Sequence, residues 1–180
     1  MRTLLLFLVA SLPIFGQGLI SSNASFEKGL NSWQFGVASY DEDLPDAEFE
    51  VVEKGYQDES ACKIRVKINS QSGNYNDVYL MRRGIELRKG KKYRVSFCIK
   101  SGKRSDKVMV SLGSGTPPDI QMLKDRELKF EGDNTWKKIS FTFEASKNLP
   151  NVDFDDISLI LGFNHRFGVF YVDNFNISNI

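Results

Sequence analysis

The sequence predicts an all-β protein built as a two-sheet antiparallel β-sandwich. Two observations carry this prediction. Apolar and polar residues alternate with a period of two along most of the chain, whereas no segment shows the helical period. The composition agrees, because 14 Phe and 6 Tyr are punctuated by 14 Gly, and aromatic residues favour strands while glycine favours turns. With 180 residues, the chain suits one ordinary domain and is too short for two sizeable cores.

Residues 1–16 have the composition of a secretory signal peptide and are expected to lie outside the fold. A positive charge precedes an apolar run over residues 4–15, and Gly16 offers a small residue before a cut at Gln17. This run is too short to span a bilayer, and no later segment has the length and apolarity of a membrane helix. We therefore expect a secreted protein, extracellular or periplasmic and not inserted in a membrane, whose folded domain comprises residues 17–180.

Ten segments with strand-like alternation follow one another, separated by short turns that contain Gly, Asn, Asp or Ser. The third alternates Cys62, Ile64 and Val66 with basic residues, and the fourth is interrupted by Gly84, where we expect a kink. The fifth and sixth place aromatic or aliphatic residues at every second position. The predicted strands span residues 33–39, 47–53, 62–68, 77–87, 92–100, 107–113, 127–130, 136–145, 157–163 and 167–177.

The charges and the scarce metal-binding residues exclude several functional classes. The chain has 24 Lys+Arg and 23 Asp+Glu, a formal net charge of +1, whereas nucleic-acid-binding proteins carry a clustered basic surplus that neutralises phosphates. One His and two Cys leave little material for a zinc site. By side-chain parity, Cys62 and Cys98 fall on opposite faces of their strands, so a disulfide between them is not expected even in an oxidising compartment.

Four blocks along the chain carry a resemblance to a known family. Residues 23–33 read N-A-S-F-E-K-G-L-N-S-W, residues 62–68 read C-K-I-R-V-K-I, residues 87–97 read L-R-K-G-K-K-Y-R-V-S-F, and residues 170–175 read F-Y-V-D-N-F. In this order and at these spacings they resemble the carbohydrate-binding modules of the family 4/9/16/22 superfamily, over essentially the whole mature chain. The resemblance implies a jelly-roll in which one concave sheet face holds a polysaccharide or an oligosaccharide.

The resemblance also implies a structural calcium ion where the two ends of the domain meet. Its implied ligands are the carboxylates of Glu27 and Asp173 and backbone carbonyls near Ser25, Glu59 and Ser60. Carboxylate and carbonyl oxygens are the ligands that Ca²⁺ prefers, and an ion that binds both ends of the chain stabilises a sandwich. The alternative is that Glu27 and Asp173 only cap turns.

Sugar recognition needs a flat aromatic surface and polar groups that hydrogen-bond to hydroxyls. If Val78 and Leu80 face the core, parity directs Tyr79 and Met81 to the other face, and the same rule directs Ser111 away from the core. We therefore expect Tyr79 to be the stacking platform. The supporting candidates are Tyr75, Arg82, His165 and Arg166. His165 and Arg166 alternatively form only a polar hairpin tip.

The two tryptophans and the acidic clusters bear on the alternatives to sugar binding. Trp33 and Trp136 occupy motif positions that are mostly structural in the family, so both are expected in the core. The favoured function is a monomeric, non-catalytic glycan-binding module. The alternatives are an adhesion or assembly module that binds protein through the same face, and a β-sandwich lyase or hydrolase. A glycosidase requires two carboxylates across the scissile bond, whereas the acidic residues in segment 41–43 suggest a loop and those in segment 153–156 suggest a solvated turn or a second cation site.

Overall fold

A computed structural model describes residues 18–20, 23–37, 46–57, 60–68, 77–102, 106–117, 119–146, 152–163 and 167–180. Within these ranges the chain folds into strands and turns, and none of its segments forms a helix long and apolar enough to cross a membrane. The strands are β1 (Gln34–Val37), β2 (Asp46–Val52), β3 (Ala61–Ile68), β4 (Val78–Ile85), β5 (Lys92–Ser101), β6 (Asp106–Thr116), β7 (Asp119–Phe130), β8 (Lys137–Glu144), β9 (Ile157–Gly162) and β10 (Gly168–Asn179).

The ten strands form two five-stranded antiparallel sheets. The front sheet has the order β1-β4-β9-β6-β7, and the back sheet has the order β2-β3-β10-β5-β8. Strands that follow one another in the sequence therefore often lie in different sheets, as β4 and β5 do. The chain thus passes repeatedly from one sheet to the other. The predicted all-β sandwich is confirmed.

In the front sheet, strand β4 has the kink that the sequence predicts, whereas strand β7 begins earlier than predicted. The kink predicted at Gly84 is present, because Gly84 has φ +73° and the pairing of β4 with β9 shifts between Arg82 and Ile85. The seventh strand, in contrast, begins at Asp119 rather than at residue 127. In the first half of this edge strand, apolar and polar residues do not alternate, so the sequence pattern did not indicate a strand there. The pairing of β7 with β6 also shifts at a bulge.

The core lies between the two sheets and is rich in phenylalanine. The largest fully buried aromatic side chains are Phe26, Phe97, Phe163, Phe170 and Phe175. The rings of Phe97 and Phe175 stack with centroids 5.4 Å apart, so strands β5 and β10 interlock through side chains as well as through hydrogen bonds. Burial of each such side chain contributes about 1.5–3 kcal/mol to folding.

The opening loop of the domain is held by one asparagine. Asn23 Nδ2 donates hydrogen bonds to the carbonyls of Gly29 and Asn31, at 2.9 and 2.6 Å, and its Oδ1 accepts the Lys28 N–H at 2.8 Å. Trp33 Nε1 donates to the Asn23 carbonyl at 2.8 Å, and the Trp33 ring is buried in the core as predicted. The first block of the family resemblance therefore has a structural role.

The two cysteines obey the predicted parity. Cys62 belongs to the core between the sheets, whereas Cys98 follows the core residue Phe97 and faces away from it, although both are fully buried. No disulfide joins them. Burial raises the pKa of the Cys62 thiol to about 12, which keeps it protonated and unreactive at neutral pH.

Candidate functional site

One row of cross-strand neighbours crosses the front sheet from edge to edge on the face opposite the core. Gly36 pairs with Tyr79, Tyr79 with Gly162, Gly162 with Met109, and Met109 with Glu127. We call these five residues the outer row. Because neighbouring strands lie about 4.8 Å apart, the row is about 19 Å long, which suits an oligosaccharide of several rings rather than a single sugar.

Tyr79 is the aromatic residue of the outer row, and a glycine lies on each side of it. A Cβ atom at Gly36 would lie 3.1 Å from Tyr79 Oη and 3.3 Å from its Cζ, so the ring lies across Gly36. Gly162, on the other side, has no side chain that would project from the sheet beside the ring. Tyr79 is half-buried, and its neighbours Val78 and Leu80 are in the core, so its predicted orientation is correct.

The next row of the front sheet is closed to solvent. Met81 pairs with Ile160 and Ile160 with Ser111, and all three side chains are fully buried although they lie outside the core between the sheets. The sequence therefore assigned Met81 and Ser111 to the correct face, but that face is not accessible at this row. Ser111 Oγ is buried and has no hydrogen-bond partner among the described residues; a buried hydroxyl without a partner costs about 1–3 kcal/mol.

The remaining predicted sugar contacts do not gather around Tyr79 in the described residues. Arg82 pairs with the core residue Leu159, on the opposite face from Tyr79, and its Nη1 donates to the Ser32 carbonyl at 2.8 Å. Burial lowers the pKa of its guanidinium. The candidates Tyr75, His165 and Arg166 lie outside the described residues.

A carboxylate held by two lysines ends the outer row at strand β7. Glu127 Oε1 lies 3.5 Å from Lys107 Nζ and 3.7 Å from Lys129 Nζ. Together with the half-buried Met109, it gives this end of the row both an apolar surface and charged hydrogen-bonding groups. A sugar bound along the row would therefore meet an aromatic ring at one end and hydroxyl partners at the other.

The back sheet carries a second row, which the sequence did not reveal. Glu50 pairs with Lys63, Lys63 with Tyr171, and Tyr171 with Lys100. Lys100 Nζ lies 4.4 Å from the centroid of the Tyr171 ring and 5.1 Å from that of Trp136. We call these five residues the basic row. They occupy the face of the back sheet that points away from the core.

The core assignment of Trp136 is therefore wrong. Trp136 directly precedes β8 and is half-buried outside the core, and its ring meets the ring of Tyr56 edge-on with centroids 6.1 Å apart. The sequence does show that Tyr171 and Lys100 alternate with core residues. It does not show that their strands are neighbours, which is the information needed to bring these rings and the lysine together.

Comparison with known proteins identifies the family of this chain. The sequence profile of the CBM 4/9 family, described as a carbohydrate binding domain, matches residues 19–155. The chain belongs to this family. The match spans three of the four sequence blocks and confirms the family that they resemble, whereas the fourth block, residues 170–175, lies beyond the matched range. A comparison with curated protein sequences finds no match.

Solved structures share the fold of this CBM 4/9 module at low sequence identity. A structure described as "CBM4 structure and function" has a TM-score of 0.60 at 14% identity and covers 88% of this chain and 98% of its own. The TmCBM61 module in complex with β-1,4-galactotriose has a TM-score of 0.57 at 18% identity, with 88% and 97% covered. The Stig cyclase Fisc from Fischerella sp. TAU has a TM-score of 0.61 at 14% identity, with 88% and 95% covered. The fold alone therefore does not separate binding from catalysis.

The residues that the resemblance implies for calcium are partly assembled in this module. Asp173 is fully buried, and its Oδ2 and Oδ1 accept the N–H groups of Tyr56 and Asn174 at 2.6 and 2.5 Å. The segment that carries Ser25 lies alongside, since the Ala24 carbonyl accepts the Phe175 N–H at 3.1 Å.

The other implied ligands differ in exposure. Ser60 is half-buried and directly precedes β3, Glu27 is exposed, and Glu59 lies outside the described residues. No three His, Cys, Asp or Glu side chains cluster in the part of the chain that the structure describes. An ion beside Asp173 would therefore depend on backbone carbonyls, the kind of donor that Ca²⁺ accepts and that the resemblance implies.

The acidic turn before β9 has structural partners. Asp155 N–H donates to Asp153 Oδ1 at 3.0 Å, which closes a turn. Asp156 Oδ2 lies 2.6 Å from Arg83 Nη2, and its Oδ1 accepts the Gly84 N–H at 3.1 Å. The Arg83 guanidinium, with help from this N–H, lowers the pKa of Asp156. The other acidic segment, residues 41–43, lies outside the described residues.

Proposed function

We propose that this module is a secreted, non-catalytic binder of a polysaccharide or oligosaccharide, which it holds along the outer row with Tyr79 as the stacking platform. The observation that carries the proposal is the position of Tyr79 in a row that crosses all five strands with a glycine on each side of the ring. A tyrosine between two glycines presents a flat apolar surface at the level of the sheet, and the C–H face of a pyranose is flat in the same way.

The composition of the outer row favours weak binding of a neutral glycan. Tyr79 and Met109 supply apolar contact, and Glu127 supplies a hydrogen-bond acceptor whose charge the lysines Lys107 and Lys129 offset. One stacked ring and a few solvated hydrogen bonds correspond to dissociation constants of roughly micromolar to millimolar. Multiple copies of the sugar in a polymer would raise the effective affinity.

The experiment that tests this proposal is binding to a panel of neutral polysaccharides, namely β-glucans, xylans and galactans. Retardation of the native protein in gels containing each polymer is compared with retardation in a polymer-free gel, and calorimetry with matching oligosaccharides follows. Retardation by at least one polymer, with an affinity roughly tenfold lower in Tyr79→Ala, supports the proposal. Migration unchanged by every polymer contradicts it and favours the protein-binding alternative.

Catalysis is tested in the same samples. Among the described residues, Glu86 and Asp155 line one cavity of about 440 Å³ together with Arg88 and Tyr93, and hydrolysis of a glycosidic bond by the usual mechanism needs two carboxylates. A binding module releases no new reducing ends from any polymer during prolonged incubation. Release that Glu86→Gln abolishes would contradict the non-catalytic assignment.

We also propose that a structural calcium ion stabilises the module near Asp173. The proposal is supported by the buried Asp173 carboxylate and by the adjacent segments that carry Ser25 and Ser60, the implied carbonyl donors. An ion that binds only the folded state raises the melting temperature by mass action. EDTA should therefore lower the melting temperature of the wild type, and added Ca²⁺ should restore it. A melting curve that EDTA does not move contradicts the proposal.

Secretion rests on residues 1–16, which carry the pattern of a cleaved signal. The match to the family begins at residue 19, three residues after the predicted cut, which supports treating the preceding segment as separate from the domain. Expression with a bacterial secretion system followed by N-terminal sequencing of the exported protein should give Gln17 as the first residue. Export of an uncleaved chain, or no export, contradicts this part of the proposal.

A further inference from the structure

A cavity of about 310 Å³ opens beside the basic row on the back sheet, on the opposite side of the sandwich from Tyr79. Its lining residues are Val52, Glu53, Lys54, Lys63, Lys100 and Tyr171. Its volume is at the lower end of the range for small-molecule sites, which suits one sugar ring. Strands β2, β3, β5 and β10 all contribute to its walls or its rim, so the position of the lining groups is fixed by the sheet.

The charges around this cavity favour an anion. Three lysines line it against one glutamate, Glu53. Lys63 is paired with Glu50 across the strands, but Lys100 contacts aromatic rings, those of Tyr171 and Trp136, rather than a carboxylate among the described residues. Its ammonium therefore keeps hydrogen-bond donors available to a ligand.

The two rings also hold the ammonium of Lys100 in place. Cation–π contact restricts the flexible side chain without neutralising its charge. A ligand anion at this position would gain a charge-assisted hydrogen bond and would lose little by ordering a lysine that the rings already order. Tyr171 also lines the cavity, and a tyrosine hydroxyl can donate to or accept from a polar ligand.

We propose that this cavity is a second binding site, specific for the carboxylate of an acidic saccharide, a uronic acid. The lysine Lys100 binds the carboxylate, and the apolar surfaces of Val52 and Tyr171 contact the sugar ring. The site adds to the proposed function without depending on the outer row, because the two rows lie on different sheets. A module with both sites would bind mixed neutral and acidic polymers through both faces.

A matched pair of ligands tests the proposal. Methyl β-D-glucuronide and methyl β-D-glucoside share the same ring and differ in a carboxylate in place of a hydroxymethyl group. In low-salt buffer, titration followed by NMR amide shifts should show saturable shifts at Lys63, Lys100 and Tyr171 for the glucuronide, with at least about tenfold weaker binding of the glucoside. Equal binding of the two ligands, or shifts elsewhere only, overturns the proposal.

A third ligand separates sugar recognition from simple anion binding. Sodium acetate carries the carboxylate without the ring, so its binding should be at least about tenfold weaker than that of the glucuronide. Acetate binding as tight as glucuronide binding overturns the saccharide assignment and would favour a site for peptide carboxylates. Raising the salt concentration should weaken glucuronide binding, because screening acts on the exposed charges.

Substitutions identify the residue that binds the carboxylate. Lys100→Gln keeps the length of the side chain and removes its charge, and should weaken glucuronide binding by about tenfold. Lys92→Gln is the matched control, because Lys92 lies on the same strand and face, about 26 Å away, outside the cavity. Glu53→Gln removes the repelling charge and should tighten binding. Equal effects of Lys100→Gln and Lys92→Gln overturn the proposal.

The two proposals fail separately. Tyr79→Ala should leave the affinity for methyl glucuronide unchanged, and Lys100→Gln should leave binding to neutral polysaccharide unchanged. Loss of glucuronide binding in Tyr79→Ala would overturn the second site and would mean that the carboxylate is bound at the outer row. If the wild-type protein binds methyl glucuronide but none of the neutral polysaccharides, the second site stands and the proposed function of the outer row fails.

Discussion

Replacement of Tyr79 by alanine removes the flat surface that the proposed glycan site requires. A tyrosine side chain presents about 150–250 Å² of surface, and one ring face is roughly 50 Å². Stacking on a sugar buries this face and an equal area of the sugar, which removes about 100 Å² from contact with water. At ~25 cal/mol per Å² this burial contributes about 2.5 kcal/mol to binding. Tyr79 is half-buried, so about half of this is available, and Tyr79→Ala should weaken binding roughly tenfold.

Calorimetry with the oligosaccharide that binds best to the wild type measures this loss. Tyr79→Phe keeps the ring and should bind within about twofold of the wild type. Gly36→Ala keeps Tyr79 itself but places a Cβ atom 3.1 Å from its Oη, so the ring must shift by a few tenths of an ångström and binding should weaken less than in Tyr79→Ala. Gly102→Ala is the matched control, because its Cβ atom would meet no described residue within 4 Å.

Each variant is first checked by thermal melting, so that a change in affinity is not confused with unfolding. Tyr79→Ala loses the contact with Gly36 and should melt somewhat lower, whereas Gly36→Ala leaves the core untouched. If Tyr79→Ala does not fold, the comparison of Gly36→Ala with its control Gly102→Ala still tests the platform. Wild-type affinity in both Tyr79→Ala and Gly36→Ala would refute the reasoning, because the platform would then take no part in binding.

Three further predictions concern the fold. Gly113→Ala would place a Cβ atom 2.5 Å from the Gln121 carbonyl oxygen, so we expect a loss of about 1–3 kcal/mol and a melting temperature lower by roughly 2–12 °C; an unchanged melting temperature contradicts the bulged hairpin. Because its pKa lies below the ordinary 3.8, the Asp156 carboxylate contributes stability above about pH 4 that is lost as pH falls through the lowered pKa. Wild type should thus exceed Asp156→Asn by a few tenths of a kcal/mol at pH 7 and match it at low pH; a constant difference contradicts the ion pair. The buried Cys62 thiol should resist a thiol reagent at pH 8 until denaturant is added, whereas reaction in the native protein contradicts its burial and raised pKa.

The fold could be predicted from the sequence because the alternation of apolar and polar residues shows which side chains a sheet buries. Cys62 and Cys98 were assigned to opposite faces correctly, and so were Tyr79 and Leu80. The start of β7 was missed because most side chains in the first half of this edge strand are exposed, so apolar and polar residues need not alternate there. Residues 119–126 show this in their mixed polar composition.

The site was less predictable because it depends on which strands are neighbours. Parity shows that Tyr79 leaves the core, but only the pairing shows that Gly36 and Gly162 lie beside it. The same information was missing for Trp136, which was wrongly assigned to the core. Its place beside Lys100 depends on the pairing of β5 with β8, two strands separated by more than thirty residues of sequence.

The most direct test of glycan binding on the front sheet is a map of amide shifts during titration with the best neutral oligosaccharide. The largest changes should fall on the outer row, at Gly36, Tyr79, Gly162, Met109 and Glu127, while the amides of the basic row stay unchanged. Changes confined to the back sheet or to the ends of the sandwich, with the outer row unaffected, would contradict it.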